Sequence, residues 1–156
     1  AGIFTKLVHP LNAPVVVAQH IAQGFDTGLV SWMNRETPHA EVKLGISGAK
    51  IQPGNIYFAP AGGNMIIHAD GMMEILPCGT GDVYTPSCDR LFESVAEACG
   101  KACVGIVLTG MGNDGTQGAR RIKQAADIMA NYLQETQKMA AEKMQPMMGA
   151  LGGLGL

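Results

Sequence analysis

Residues 102–125 read ACVGIVLTGMGNDGTQGARRIKQA. An apolar run, ACVGIVLTG, comes first. The glycine-rich stretch LTGMGNDG (108–115) follows, then a polar run with helix-like spacing. The first run is apolar at nearly every position, as in a parallel strand covered on both faces. Gly110, Gly112 and Gly115 have the spacing G-x-G-x-x-G. Strand, glycine loop and helix in that order can cradle a dinucleotide pyrophosphate. The same loop can instead hold the carboxylate of Asp114 at the start of the following helix.

Working outward, APVVVAQH (13–20) reads as a short buried strand, because Val15, Val16 and Val17 are β-branched. GFDTGLVSWMNRE (24–36) is expected to be a helix with Phe25, Leu29, Trp32 and Met33 on one side. AEVKLGI and GNIYFAP are further short strands, the second stopped by Pro60. NMIIHADGMMEILP (64–77) is expected to form a hairpin turning at Asp70-Gly71, a pair that tolerates positive φ. In YTPSCDRLFESVAEACG (84–100), Pro86 precedes a helix, Ser87 can cap it and Asp89 suits its positive end. Leu91, Phe92, Val95, Ala96 and Cys99 share one face of that helix, and Gly100 ends it. ADIMANYLQETQKMAAEKMQ (126–145) is rich in helix formers, and no structure is expected of the apolar, glycine-rich end. Strands alternating with helices predict a doubly wound, three-layer α/β fold. Its sheet is mainly parallel, with an antiparallel hairpin inserted.

The chain has 156 residues, enough for one domain with a substantial core. Its formal net charge is -2, with 15% charged residues, which gives no basic surface for a nucleic acid. No apolar run is long enough to span a bilayer, so no membrane insertion is expected. AGIFTKLVHP has no apolar leader segment and no initiator Met, so the chain is read as truncated or processed at its start. Cys78, Cys88, Cys99 and Cys103 form no C-x-x-C pair and are expected to be free thiols of a cytoplasmic protein. No metal site and no cofactor are expected.

For a dinucleotide, Glu135 lies 20 residues past Gly115, where an acid could hold a ribose. Against it, Asp114 would put a carboxylate where the pyrophosphate must go, and the helix dipole can favour only one of the two anions well. The residues around Glu135 also read as helix rather than strand. Asp114 to Gln117 has the spacing of a capping box, which by itself explains the acid. An acid held at a helix start also stays ionised, as a residue that orients a base must. His20 follows the VVV strand, and strand carboxyl ends form the ligand crevice of an open parallel sheet. His20 and Asp114 can thus meet as a base and its orienting acid through Nδ1, leaving Nε2 for a nucleophile. His9, His39 and His68 sit at turns or on the hairpin and suit catalysis less well.

Four segments in order, VVVAQHIAQGF, PGNIYFAP, YTPSCDRLFESVA and VGIVLTGMGNDG, resemble the catalytic domain of the CheB-type protein-glutamate methylesterases of chemotaxis. The resemblance covers about residues 3 to 125. It implies hydrolysis of glutamate methyl esters on methyl-accepting chemoreceptors, with glutamine deamidation as a companion activity. By that resemblance His20 is the general base, Asp114 its orienting acid, and the backbone N–H of Met111 an oxyanion-hole donor.

The family's nucleophilic serine turn would lie immediately before, or at, Ala1-Gly2. Ser31, Ser47, Ser87 and Ser94 stand in no matching motif. The residues after about 125 depart from the family pattern, and a receiver domain would lie outside this chain. Two functions stay open: a Ser-His-Asp methylesterase whose serine lies upstream, and an inactive receptor-binding module of the same fold.

Overall fold

The structure is a computed structural model and describes residues 4–7, 9–108 and 112–127. Gly110, Met111, Glu135 and the helix expected toward residue 145 lie outside the described residues. Three parallel strands form the sheet: β1 (Val15–Val17), β2 (Glu41–Leu44) and β3 (Asn55–Phe58), in the order β1-β3-β2. Val16 is in register with Tyr57, and Lys43 meets Tyr57 from the other side. Helix α1 (Asp26–Glu36) connects β1 to β2. A hairpin of β4 (Gly63–Ile67) and β5 (Met73–Pro77) follows, antiparallel as expected. Its turn is the Asp70-Gly71 pair. Gly71 has φ 82, and Asp70 Oδ1 accepts from the Met72 amide at 3.0 Å. Helix α2 (Cys88–Cys99) and helix α3 (116–127) complete the described elements.

The sheet separates two cores because side chains of β3 alternate in direction. Ile56 and Phe58 pack with Met33 of α1 and Val42 of β2. Tyr57 and Ala59 face the other way, toward Met65, Ile67 and Met73 of the hairpin and Leu91 of α2. This gives α1, then the parallel sheet, then the hairpin with α2. The α1 stripe differs from the one expected. Leu29, Val30 and Met33 face the sheet, whereas Phe25 and Trp32 are exposed. Phe25 precedes the helix, so its direction does not follow the 3.6-residue period.

A second difference concerns the apolar run at 102–110. Residues 103–108 join no strand ladder among the described residues. Val104, Ile106, Val107 and Leu108 are between 62% and 86% exposed. A parallel strand exists only through the neighbour it bonds, and neither outer strand of the described sheet pairs with this segment. One side of it is covered. A Cβ on Gly105 would lie 2.7 Å from Ile122 Cδ1 of α3 and 3.6 Å from Phe92 of α2.

Helices α2 and α3 meet through a missing side chain. A Cβ on Gly118 would collide with Cβ of Phe92 and come within 2.9 Å of the Asp89 carbonyl oxygen. Gly118→Ala gains about 1 kcal/mol of helix propensity. Overpacking a backbone contact costs about 1–3 kcal/mol, and no flexible group is there to yield. Urea unfolding is expected to show a net loss of stability for Gly118→Ala and a larger one for Gly118→Val.

Candidate active site

Strand β1 ends at Val17, and three residues on, His20 stands beyond the carboxyl end of the sheet. Asp114 belongs to the glycine loop before α3. Gly112 and Gly115 flank it with φ 99 and 96, values that only glycine adopts freely. The two residues are 94 positions apart, and His20 Nε2 lies 2.7 Å from Asp114 Oδ2. The two expected residues are thus brought together, His20 from beyond a strand end and Asp114 from the loop before α3 rather than from a second strand end.

The carboxylate is saturated. Oδ2 also accepts the Cys88 amide at 2.7 Å, and Oδ1 accepts the Asp89 amide and the Ser87 hydroxyl, both at 2.9 Å. Asp114 thus caps the first turn of α2 rather than its own helix, where the capping-box spacing would put it. Helix α3 receives the reverse favour, because Asp89 Oδ1 accepts the Gly118 amide at 2.7 Å. Each helix start, short of acceptors and positive in potential, is neutralised by a carboxylate from the other. The Asp114 side chain is only 3% exposed. Burial alone would raise its pKa. The Asp89 and Cys88 amides, with His20 and Ser87, outweigh that and hold the carboxyl at about 2.

An ionised carboxylate has no proton to give, so the nitrogen facing it must carry the hydrogen. His20 therefore donates through Nε2–H, and Nδ1 is left as the free ring nitrogen. This reverses the expected arrangement, in which Nδ1 faced the acid. From its loop beyond β1, the ring reaches the α2 start with its far nitrogen.

Ser87, which lies in one of the segments that resemble the family and is expected as a helix cap, is also a member of the site. Its hydroxyl donates to Asp114 and accepts from the Arg90 amide at 3.3 Å, so both roles of the group are used in capping. Cys88 is another. Its thiol donates to the Ala18 carbonyl at 3.6 Å, tying α2 to the end of β1. Burial, then the charge of Asp114, pushes this thiol up to about 12. The ligand atoms of His20, Cys88 and Asp114 lie within 4.8 Å of one another. A metal there would have to displace a firmly held thiol proton and compete with three other donors on Asp114. All three side chains are engaged in hydrogen bonds, His20 and the Cys88 amide with Asp114 and the Cys88 thiol with the Ala18 carbonyl. Ser47 and Ser94 accept the amides of Ile75 and Ile67. Among the described residues no serine oxygen is bonded to His20.

Beside His20 is an open cleft of about 380 Å³ lined by Ile21, Ala22, Val83, Tyr84 and Thr85. A larger depression of about 520 Å³ lies between α2 and α3 around Glu93, Arg120 and Arg121. It includes neither His20 nor Asp114, so the smaller cleft is the one next to the candidate chemistry.

The family model described as CheB methylesterase matches residues 1–150. The chain belongs to the CheB methylesterase family. The match continues past residue 125, where the sequence motifs ceased to resemble the family. A protein-glutamate methylesterase/protein-glutamine glutaminase of Paramagnetospirillum magneticum is 37% identical over 125 residues, 80% of this chain and 35% of that protein. The protein-glutamate methylesterase FrzG of Myxococcus xanthus is 36% identical over 124 residues, 80% of this chain and 37% of its own length. The chain thus spans about a third of the length of the curated relatives it matches. The crystal structure of the Thermotoga maritima CheB methylesterase catalytic domain superposes with a TM-score of 0.74 at 27% identity, over 79% of this chain and 66% of that one. No helix among the described residues is long and apolar enough to cross a membrane.

Two outcomes follow for this CheB-family site. Asp114 ionises below its ordinary 3.8, so its stabilisation is complete above pH of about 4 and is lost as pH falls through about 2. Asp114→Asn is expected to cost about 2–3 kcal/mol at pH 7, and the gap to the parent should close between those limits in pH-dependent urea melts. Calorimetric titration should also show no binding of NAD or NADP. Asp89 already occupies the start of α3, where the pyrophosphate would sit. Micromolar binding abolished by Gly112→Val would overturn that.

Proposed function

We propose that this chain is a catalytic domain of a protein-glutamate methylesterase of the Ser-His-Asp type. The longer protein to which it belongs hydrolyses glutamate methyl esters on chemoreceptors and, by the same chemistry, deamidates glutamine side chains. The 2.7 Å contact between His20 and Asp114 in a CheB-family chain carries this reading. Residues 1–156 act as one domain of a cytoplasmic protein, and a receiver domain would lie outside them.

Under this proposal a serine from the turn immediately before, or at, Ala1-Gly2 attacks the ester carbonyl. His20 takes the serine proton at Nδ1, while Asp114 holds the ring and offsets the imidazolium charge. By the family resemblance, the N–H of Met111 would be a donor to the developing oxyanion. The C–O bond to methoxide breaks, and methoxide leaves as methanol with the proton from His20. Water then attacks the acyl-serine, giving its proton to His20. The serine leaves, and the new glutamate carboxylate departs with one net proton released to solvent. No cofactor is needed for any of these steps.

The other reading is a receptor-binding module of the same fold without hydrolytic activity. It is favoured by one observation, that no serine among the described residues is hydrogen-bonded to His20. Methanol release from methylated receptor fragments separates the two. Residues 1–156 alone are expected to be inactive. A longer chain that includes the upstream serine turn is expected to turn over, and to lose about 10⁶-fold in kcat with His20→Ala. An inactive longer chain that still binds receptor fragments would establish the module. Robust turnover by residues 1–156 without an upstream serine would point to water activated directly by His20.

A further inference from the structure

Among the described residues His20 has one polar side-chain partner, Asp114, and its side chain is 40% exposed. A ring held by a single hydrogen bond can pivot about it, which would swing the free nitrogen away from any fixed nucleophile. A second contact prevents this. The Tyr84 ring lies flat against the imidazole, with centroids 4.8 Å apart and planes 8° from parallel.

Tyr84 is itself held from two directions. On one side, a Cβ on Gly112 would lie 2.5 Å from the Tyr84 hydroxyl oxygen, so the phenol occupies space that only glycine leaves open. On the other, the loop carrying Tyr84 is bound through Asp82, whose carboxylate accepts the Gly79 amide and the Asn64 side chain, both at 2.9 Å. Arg90 of α2 also bonds that carboxylate. Asn64 is fully buried and accepts the Ser87 amide at 2.8 Å, so this network begins where Asp114 caps α2. Among the described residues the Tyr84 hydroxyl makes no hydrogen bond. Its contribution therefore comes from the face of the ring.

We infer that Tyr84 is a positioning residue: wedged between His20 and Gly112, its ring fixes the imidazole plane so that Nε2 stays on Asp114 and Nδ1 faces the cleft. The kinetic part of this inference rests on the methylesterase function proposed above; the structural part does not.

Two measurements test it. The first is long-range ¹⁵N–¹H spectroscopy of the His20 ring in residues 1–156, which requires no activity. The parent and Tyr84→Phe should both show a single Nε2–H form. Tyr84→Leu, which stays apolar without an aromatic plane, and Tyr84→Ala should let the freed imidazole turn off Asp114, so that its two ring nitrogens average. Unchanged hairpin methyl spectra would show that each variant is folded. The second is steady-state hydrolysis by the longer, serine-containing chain. Tyr84→Leu should lower kcat by about 10- to 100-fold with KM little changed, while Tyr84→Phe stays near the parent. A single Nε2–H form in folded Tyr84→Leu, equal losses in the Phe and Leu variants, or an effect confined to KM would each overturn the inference. If the parent itself releases no methanol, the proposed activity fails, and the ring spectra alone decide the role of Tyr84.

Discussion

The buried carboxylate of Asp114 holds three separate parts of the chain at one point. It receives two amides from the start of α2, a hydroxyl from the residue before that helix, and a ring nitrogen from the loop after β1. Its own loop leads directly into α3. Removing the charge would leave buried amides without an acceptor, and each such orphan costs more than a typical hydrogen bond contributes. The exchange with Asp89 makes the arrangement mutual, since the α3 amide it accepts is presented only when the two helices touch at Gly118. Close approach of the helices and capping of their ends therefore stand or fall together.

The apolar packing makes that polar junction possible. Strand β3 supplies residues to both cores, so the sheet cannot shift relative to α1 without disturbing the hairpin and α2. Leu91 seats α2 in the second core one turn from its capped end. Asn64, on the hairpin, binds both the Tyr84 loop and the Ser87 amide from a fully buried position. The hydrophobic contacts choose which elements meet, and the buried polar groups fix where along each other they stop.

Much of this was legible in the sequence. The β-branched run at Val15–Val17, the Asp70-Gly71 turn and the Ser87 cap each carry a local physical cause, and each appears where that cause puts it. The meeting of His20 with Asp114 was readable from their places after two apolar runs. Long-range details were not readable. The spacing of Asp114 and Gln117 is a local signal, and the acid instead serves a helix 26 residues earlier in the chain. The apolar run at 103–108 has strand composition, yet composition cannot provide the neighbour whose amides complete a ladder. Phe25 and Trp32 are apolar but face outward, because the burial of a helix side is set by what it packs against. The stack of Tyr84 on His20 joins residues from different loops, and no local pattern announces it.

The saturation of Asp114 also limits the part it can take in the proposed chemistry. A carboxyl held at about 2 by amide donors is a poor proton acceptor, so an imidazolium beside it keeps its own proton. The acid then acts by charge and direction alone. Direction from one hydrogen bond is incomplete, because it fixes a point on the ring and leaves the plane free to turn. A flat aromatic neighbour supplies the missing restraint without adding a titrating group to the cleft. The same donors that keep Asp114 ionised thus create the requirement that Tyr84 meets. The glycine at 112 allows both groups to fit beside the imidazole, one bonded at its edge and the other against its face.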